Sequence, residues 1–268
     1  MKILKKIVLI FYEKVFDRLF VLPLQISFFF NREIGRDYKF GYIQKLSLIL
    51  KFRRTLKKVE TLSEWIEHLE MAAEILKIPP SVKGDVIECG CYKGGSTINL
   101  SIVCSIVNRK LIVCDSFQGL PEPGEDEKVH YSVHKDHYDH YERGKFFASL
   151  EEVKNNIKQY GELDVCEFVV GFFEDTMKNL NREIVMGFLD IDLIQSLKPC
   201  LQGIWQNLQN ECKIYVHEAK DLELVSLFFD QVWWQKTFRT AAPGFVGAGT
   251  GLPLRIRKGS ELGYAVKK

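Results

Sequence analysis

Short apolar runs rich in β-branched residues alternate, from residue 84 onward, with amphipathic stretches of helical length. The runs fall at 86–89, 111–114, 166–170, 184–189 and 213–216, and the helical stretches at about 96–107, 150–160, 196–208 and 222–234. Such alternation predicts an α/β fold, with a mostly parallel sheet covered by helices on both faces. Two further runs, near 236–240 and 264–266, would complete a seven-stranded sheet with an antiparallel edge.

Charge separates this body from the segment that precedes it. Residues 1–60 carry 14 Lys and Arg against 5 Asp and Glu, a net charge of +9, whereas the remainder carries −7 and the whole chain +2. A nucleic-acid-binding body needs clustered Lys and Arg where the fold is. The acidic body therefore argues against a nucleic acid as partner.

The first 60 residues form an apolar, basic and aromatic-rich segment, for which we expect a helical extension. Residues 1–11 imitate a signal peptide, but Glu13 and Lys14 interrupt the apolar run and no cleavage site follows. The longest uncharged stretch, 19–31, has 13 residues and contains Pro23, short of the roughly 20 needed to span a bilayer. The segment suits packing on the body or on a second subunit of a homo-oligomer. Peripheral contact with an anionic membrane, at its inner face, is the alternative.

The remaining general features favour a cytoplasmic protein with a boundary near residue 60. Seven cysteines, an odd number at irregular spacings, lie mostly within apolar runs and are expected to be reduced. Thr61-Leu-Ser-Glu64 has the form of a capping box, which predicts a helix that ends before Pro79. We therefore divide the chain into an extension, 1–60, and a body, 61–268.

A glycine-rich loop follows the first predicted strand, where ligands bind in open α/β sheets. The loop runs from Glu88 to Ser96 and includes Gly90, which permits close backbone approach, and Gly94, which permits a tight turn. Its spacing is neither that of a dinucleotide fingerprint nor that of a P-loop. Asp115, 21 residues past Gly94, is placed to accept hydrogen bonds from ribose hydroxyls. These features indicate an adenosine-containing ligand; glycines that only form the turn and an aspartate that only caps a helix are the structural alternative.

A nicotinamide dinucleotide is the rival ligand. Tyr141 and Lys145 have the Tyr-x-x-x-Lys spacing of a dehydrogenase pair. They follow Asp115 by only 26 residues, too early for the strand that normally carries such a pair. We interpret the spacing as a chance match.

Two segments strongly resemble the macrocin O-methyltransferase family, which are class I S-adenosylmethionine enzymes. They are 84–96, Gly-Asp-Val-Ile-Glu-Cys-Gly-Cys-Tyr-Lys-Gly-Gly-Ser, and 113–121, Val-Cys-Asp-Ser-Phe-Gln-Gly-Leu-Pro. The resemblance continues through 149–156, 171–176 and 188–193 and covers about 62–235. It implies a Rossmann-like class I methyltransferase fold and methyl transfer to hydroxyl groups, typically of sugars on natural products, with a bound divalent cation.

The resemblance also implies a set of residues for the S-adenosylmethionine pocket. These are Glu88, Gly90, Ser96, Asp115, Ser116, Phe173, Glu174 and Asp175, and Gly94 of the glycine-rich turn completes the predicted set. S-adenosylmethionine has no pyrophosphate, so the absence of a P-loop agrees with this ligand.

The reacting end requires a group that removes a proton from a neutral alcohol. Asp190 and Asp192 follow the fourth strand of the body and would share one face if the strand were still regular there. By resemblance, Asp190 matches a metal ligand and Asp192 the proposed base. Capping of the helix that begins near Ser196 is the structural alternative.

The chain departs from the family after the next strand, where an adjacent pair of aspartates is replaced by His217 and Glu218. Asp190, His217 and Glu218 can still bind a divalent cation, Mg²⁺ or Mn²⁺. The imidazole makes an oxygen-only Mg²⁺ site less suitable and admits Mn²⁺, Fe²⁺ or Zn²⁺. Alternatively His217 is the general base and no metal binds.

Two further segments carry suggestive residues. Four histidines, which would share one broad face of a helix and could bind zinc, are His130, His134, His137 and His140. They lie in the region of a variable family lid, about 121–147, and we interpret them as part of a polar, aromatic lid. The second glycine-rich stretch, 243–252, is interpreted as a loop that borders the acceptor pocket, and an ordinary connection is the alternative.

The sequence therefore predicts an S-adenosylmethionine-dependent O-methyltransferase for a sugar, a sugar-bearing metabolite or a glycan, with Asp192 or His217 as base. The departure at His217 and Glu218 leaves a catalytically degenerate scaffold that binds S-adenosylmethionine as one alternative. The basic extension leaves a membrane-recruited interaction protein as the other.

Overall fold

The central sheet of the computed structural model contains six strands in the residues that the structure describes, 15–127, 129–131, 138–255 and 259–268. In sheet order these are β5 (Cys166–Val170), β2 (Leu111–Asp115), β1 (Asp85–Cys89), β6 (Ile184–Leu189), β7 (Leu208–Val216) and β8 (Gly263–Val266). Five strands are parallel, and β8 pairs with β7 in the antiparallel sense. The expected α/β class with an antiparallel edge is confirmed.

Helices connect the strands and form the N-terminal part. Those described are α1 (Leu22–Ile26), α2 (Tyr42–Thr55), α3 (Trp65–Lys77), α4 (Gly95–Val107), α5 (Leu150–Tyr160), α6 (Phe173–Thr176), α7 (Ile194–Asn207), α8 (Leu222–Ser226) and α9 (Gln231–Phe238). A small antiparallel hairpin, β3 (Val129–Tyr131) and β4 (Tyr138–His140), stands apart from the sheet.

The strand order determines where a functional site is expected in the sheet. Successive strands run outward from β1 on one side and from β6 on the other, so the crevice between the two lies at a topological switch point. β6 is buried along its whole length, as expected of a central strand covered on both faces, which explains its uninterrupted apolar sequence. The carboxyl ends of β1, β2, β6 and β7 therefore meet at one edge.

The prediction of a seventh strand near residues 236–240 is wrong. Most of that run belongs to α9, which begins after Asp230, whose carboxylate accepts the Trp233 backbone N–H at 2.9 Å. Trp234 is fully buried and donates its indole N–H to the Leu227 carbonyl at 2.7 Å. The cap and this burial select helix over strand. Among the described residues, the outer edge of β8 carries only an isolated bridge between Tyr264 and Val246.

Two helix boundaries also differ from the prediction. The stretch predicted as one helix, 222–234, is divided into α8, a 3₁₀ turn at Leu227–Phe229 and α9. The N-cap of α3 is Glu64, three residues later than Thr61 of the predicted capping box, and the backbone N–H of Glu64 bonds to the carboxylate of Glu67 at 2.8 Å.

The described part of the extension packs on the body. α2 turns Leu48, Ile49 and Phe52 inward, and Phe29 and Ile34 of the preceding segment join the same core. Tyr38 donates its hydroxyl to the Ile78 carbonyl at 2.6 Å, which ties the extension to the end of α3. Within the described residues, no helix is long and apolar enough to cross a membrane.

Candidate active site

A cavity of about 450 Å³ opens at the carboxyl ends of the strands. Its wall combines the loops after β1, β2, β6 and β7 with residues on both sides of the β3–β4 hairpin. The predicted residues that line it are Gly90, Ser96, Asp115, Ser116, Phe173, Asp190, Asp192, His217 and Glu218. The structure thus brings most of the predicted set to one cavity.

Gly90 allows the loop after β1 to lie against the loop after β6. Its φ is 84°, and a Cβ there would overlap the carbonyl oxygen of Asp190. The close approach is therefore made to the neighbouring backbone, at the edge of the cavity. Gly94, with a φ of 86°, is the N-cap of α4 and does not line the cavity.

Asp115 is held at the end of β2 by two backbone hydrogen bonds. Its Oδ2 accepts the Cys91 N–H at 2.8 Å, and its Oδ1 accepts the Phe117 N–H at 2.7 Å. A carboxylate oxygen has two acceptor positions, so each oxygen keeps one for a ligand. Ser116 beside it donates its hydroxyl to the Gly119 carbonyl at 2.9 Å.

Glu88 lies beneath the cavity and does not line it. The residue is completely buried, and burial raises the pKa of its carboxyl to about 8. Its Oε1 accepts the Ser96 hydroxyl at 2.5 Å, while Oε2 has no hydrogen-bond partner among the described residues. Since Ser96 does line the cavity, Glu88 supports the wall from behind.

Two residues of the turn that follows β5 are not brought to the cavity. Phe172 and Phe173 line it, but Glu174 and Asp175 are exposed and lie outside its wall. The sequence signal could not separate them, because all four occupy a single turn of chain.

Asp190 and Asp192 both line the cavity, although the strand is no longer regular where they lie. Asp192 has a φ of 58°, in the left-handed region, which non-glycine residues adopt at a cost. Burial, together with the nearby Asp190, raises the pKa of Asp192 to about 7, and the Tyr141 hydroxyl hydrogen-bonds to its carboxylate. Neither aspartate caps α7, whose N-cap is Leu193 without a side-chain bond.

His217, at the end of β7, has carboxylates on both sides of its ring. Nδ1 lies 3.4 Å from Asp190 Oδ1 and 3.9 Å from Glu218 Oε1, and Nε2 lies 3.4 Å from Glu67 Oε2. Burial opposes the charged imidazolium, but Asp190 and Glu67 outweigh it and raise the pKa of His217 well above its ordinary value. For Asp190, burial is outweighed by His217, which holds the pKa of Asp190 below its ordinary value.

Glu218 completes a cluster with the donors of a metal site. One ligand atom each from Asp190, His217 and Glu218 lies within 4.8 Å of the others. Burial, and then the carboxylates of Asp190 and Asp192, raise the pKa of Glu218 well above its ordinary value. Both its carboxylate oxygens are buried without a hydrogen-bond partner in the described part of the chain. Buried, unpartnered carboxylate oxygens are costly unless a cation balances them, so the set fits a divalent metal.

The predicted set lacks several residues of the site, among them three polar side chains close to Asp192 or His217. Tyr141 and Lys145 line the cavity beside Asp192, although their spacing was interpreted as a chance match. Glu67 approaches His217 from α3, 150 residues earlier in the chain. The Tyr-x-x-x-Lys spacing was the available signal for the first two, whereas no motif marks Glu67.

The predicted lid begins and ends at the cavity. Two backbone hydrogen bonds, Leu120 N–H to Lys145 O and Gly144 N–H to Leu120 O, both 2.9 Å, tie its flanks together. The segment contains the β3–β4 hairpin, so the helix assumed for the histidines is wrong at His130 and His140. His134 and His137 lie outside the described residues, as do the side chains of the other two.

The second glycine-rich stretch, 243–252, does not line the cavity, which corrects its predicted place. Its glycines serve close packing of the chain on the C-terminal segment. Gly251 has a φ of 69°, and a Cβ there would overlap the carbonyl oxygen of Ser260.

Comparisons with known proteins agree with this architecture. The family description Macrocin-O-methyltransferase (TylF) matches residues 61–232. The chain is similar to an 8-demethyl-8-(2,3-dimethoxy-α-L-rhamnosyl)-tetracenomycin-C 4′-O-methyltransferase of Streptomyces olivaceus, 30% identical over 148 residues. That match spans 53% of this chain and about half, 55%, of the relative.

Two other similarities extend further along the chain. A demethyldecarbamoylnovobiocin O-methyltransferase of Streptomyces niveus is 27% identical over 205 residues, 68% of this chain and 74% of the relative. The solved structure of the O-methyltransferase NovP superposes with a TM-score of 0.62 at 21% identity, over 84% of this chain and 99% of that one. At this low identity, the likeness to the NovP structure shows a shared fold.

Proposed function

The chain belongs to the macrocin O-methyltransferase family, and on that premise we propose that it is an S-adenosylmethionine-dependent O-methyltransferase for a hydroxyl group of a sugar, a sugar-bearing metabolite or a glycan. One observation carries the proposal: a single cavity contains both Asp115, suited to a ribose, and Asp192, suited to an acceptor hydroxyl. Two relatives support this class of acceptor: the tetracenomycin-C 4′-O-methyltransferase, whose name includes a rhamnosyl group, and the demethyldecarbamoylnovobiocin O-methyltransferase.

In this proposal, the wall near β1 and β2 binds the methyl donor. Asp115 accepts hydrogen bonds from the ribose hydroxyls with the acceptor positions that Cys91 and Phe117 leave open. Gly90, Ser96, Ser116 and Phe173 contribute the adjoining wall, and Glu88 acts through Ser96. S-adenosylmethionine supplies an activated methyl group on a sulfonium. Gly94 contributes to the shape of the loop, and Glu174 and Asp175 have no side-chain role.

Asp192 is the proposed general base. The acceptor oxygen forms a bond to the methyl carbon while the carbon–sulfur bond breaks and leaves a neutral thioether, and the hydroxyl proton passes to the Asp192 carboxylate. Tyr141 holds that carboxylate by a hydrogen bond. His217 is the less suitable base, because its ring nitrogens face the carboxylates of Asp190 and Glu67.

We assign Asp190, His217 and Glu218 to a divalent cation. One imidazole with two carboxylates favours Mn²⁺ over Mg²⁺, since Mg²⁺ prefers oxygen ligands. When bound, the metal would lower the pKa of an acceptor hydroxyl and orient it. Glu67, on the far side of the His217 ring, orients the imidazole.

The division into domains follows the same assignment. Residues 61–268 form the catalytic body, with 121–147 as a lid over the acceptor, and residues 1–60 form the extension. The family match begins at residue 61, which supports this boundary. All seven cysteines are free thiols, which is compatible with a cytoplasmic location.

Isothermal titration with S-adenosylmethionine, followed by transfer of a labelled methyl group to a panel of glycosides with and without Mn²⁺, tests the proposal. We expect binding to the wild type and labelled product with at least one sugar-bearing acceptor. Absence of binding at millimolar S-adenosylmethionine would contradict the whole assignment.

A degenerate scaffold is the second candidate, favoured by the presence of His217 and Glu218 where the resemblance to the family implies two aspartates. That candidate binds S-adenosylmethionine without turnover under any metal condition. Restoration of the pair, His217→Asp with Glu218→Asp, would then create activity, whereas an active wild type rules the scaffold out.

A further inference from the structure

A second cavity lies in the N-terminal extension, outside the candidate active site. It has a volume of about 460 Å³ and lies between the 3₁₀ turn Arg36–Tyr38 and the start of α2. Four cationic side chains line it, and no acidic residue does: Arg32, Arg36, Lys39 and Lys45. We call it the basic cavity.

Lys45 is a buried cation at this cavity without a charge partner. The residue is 2% exposed, and its ammonium donates one hydrogen bond, to the Asn31 carbonyl at 2.7 Å. It also lies 5.9 Å from the Phe29 ring centroid and 5.8 Å from that of Tyr42. No carboxylate of the described residues lies within ion-pair distance of it, and burial lowers its pKa. A buried charge of this kind is costly until an anion compensates it.

The other charged groups around the cavity leave its balance positive. Arg36 pairs with Glu33 at 2.6 Å and lies 3.6 Å from Asp37, so much of its charge is offset. Arg32 and Lys39 have no ion pair within the described part of the chain. The N-terminus of α2 also borders the cavity at Gly41 and Tyr42, with no acidic residue in its first turn. The positive end of a 14-residue helix thus adds to the cationic side chains.

An apolar row continues from the basic cavity along the exposed side of α2. Ile43 is 85% exposed, Leu46 50% and Leu50 44%, at spacings that keep them on one face. Tyr42 joins the two features, because it lines the cavity and is itself 55% exposed. An exposed apolar row of this kind marks a contact with another molecule or a membrane.

We propose that the basic cavity binds the phosphate group of an anionic lipid headgroup, and that the apolar row of Ile43, Leu46 and Leu50 enters the headgroup region of the bilayer beside it. The site goes beyond the proposed function, since it shares no residue with the active site. It would hold the acidic body next to a membrane whose surface repels it.

Charge complementarity and position select a lipid over other occupants. An anionic bilayer presents phosphate groups and apolar chains side by side, in the arrangement that the cavity and the row offer. A free phosphate would use the cavity alone. A second copy of the chain would bring the same basic surface, and the two would repel each other.

Flotation of the full-length protein with vesicles tests the proposal. We expect the wild type to float with vesicles of phosphatidylglycerol and phosphatidylcholine in equal parts, to release in high salt, and to stay behind with pure phosphatidylcholine. Lys45→Met, which keeps the length of the side chain, lowers the bound fraction by about fivefold, as does Ile43→Ser. Lys236→Met, the same substitution at an exposed lysine of α9, is the matched control and floats like the wild type.

Thermal denaturation of each variant shows whether a loss of vesicle binding is due to a loss of folding. Lys45→Met removes a buried charge that has no charge partner, so we expect it to melt no lower than the wild type. If this variant fails to fold, the double variant Arg32→Gln with Lys39→Gln, at two exposed positions, replaces it. The same loss of vesicle binding is expected. Equal flotation with neutral vesicles, wild-type flotation of the cavity variants, or stabilisation by inorganic phosphate without any flotation would overturn the proposal. A dimer in light scattering that Ile43→Ser dissociates, with no flotation of the wild type, would assign the surface to a second copy instead.

Discussion

The carboxylate of Glu67, in the first turn of α3, lies 3.4 Å from the Nε2 atom of His217 at the end of β7. The same carboxylate accepts the backbone N–H groups of Glu64 at 2.8 Å and of Glu261 at 2.9 Å. One side chain thus joins the start of a helix, the C-terminal segment and the candidate metal cluster.

Glu67→Gln is expected to weaken Mn²⁺ binding by about 10- to 100-fold, because outer carboxylates orient a ligating imidazole. Titration of the purified protein with Mn²⁺, followed by electron paramagnetic resonance, measures this affinity. Glu70→Gln, the same change one turn further along α3, is the control and keeps wild-type affinity. Equal affinities for all three proteins would mean that Glu67 only caps the helix.

Asp192→Asn is expected to lower turnover by roughly 10²- to 10⁴-fold while S-adenosylmethionine binds as before, since the amide cannot accept the hydroxyl proton. A methyl-transfer assay measures the turnover, and a calorimetric titration measures the binding of S-adenosylmethionine. Asp175→Asn, an exposed carboxylate outside the cavity, leaves both values unchanged. Joint loss of binding and turnover in Asp192→Asn would make the residue structural.

Tyr141→Phe removes the hydroxyl that bonds to Asp192 and should reduce kcat by about tenfold, the equivalent of one hydrogen bond to a charged group. Steady-state kinetics at saturating methyl donor give this value. Tyr160→Phe, at the end of α5, provides the comparison. A wild-type kcat in Tyr141→Phe would exclude a positioning role for the hydroxyl.

Gly90→Ala and Gly144→Ala form a matched pair, because the two glycines have φ values of 84° and 81°. Alanine at Gly144 meets no atom within 4 Å, so only the left-handed backbone costs energy, about 1–2 kcal/mol. Alanine at Gly90 also overlaps the Asp190 carbonyl, and we expect a further loss of roughly 1–3 kcal/mol. Urea unfolding measures both; equal losses would refute the close approach.

Glu88 gives the fold a defined pH dependence. The pKa of its carboxyl is about 8 in the folded protein against an ordinary value of 4.5, so the folded state keeps a proton that the unfolded state releases. Its contribution to stability therefore falls as the pH rises between these values, by up to about 1.4 kcal/mol per pH unit. Glu88→Gln cannot lose that proton.

The free energy of unfolding of Glu88→Gln and of the wild type is measured in urea at pH 5 and pH 8. The value for Glu88→Gln minus that for the wild type should therefore be larger at pH 8 than at pH 5. Glu151→Gln, an exposed change on α5, should keep the wild-type slope. Parallel curves for Glu88→Gln and the wild type would show that the buried carboxyl does not titrate in this range.

The sequence predicted the bounds of two strands correctly, although the burial of the two differs. β6 is buried along its whole length and begins and ends at the predicted residues, because a continuous apolar run bounded by polar residues permits little else. β5, a partly exposed edge strand that contains Glu167, also begins and ends where predicted. The run at 236–240 failed for the converse reason: its conformation depends on the Asp230 cap and on the pocket that buries Trp234, and neither is visible in the local pattern.

The candidate site was predictable as far as it lies directly after strands. Asp115 is the last residue of β2, and Asp190 and His217 directly follow β6 and β7. Parallel strands bring such positions to one edge. Glu67 reaches the same place from a helix at the opposite end of the chain, so its role depends on tertiary packing. Tyr141 and Lys145 depend on how the hairpin segment returns to the cavity.

The two glycines at the base of the predicted lid have a consequence for protein engineering. Gly119 lies so close to Gly144 that a Cβ would come within 2.5 Å of its carbonyl oxygen, and the hydrogen bonds between Leu120 and residues 144–145 fasten the two flanks. Residues 122–140 can therefore be exchanged for a segment of another length while Tyr141, Lys145 and Asp192 keep their places at the cavity. A segment fastened in this way can serve as a cassette, and exchange of the predicted lid would leave the walls of the cavity at the strand ends in place.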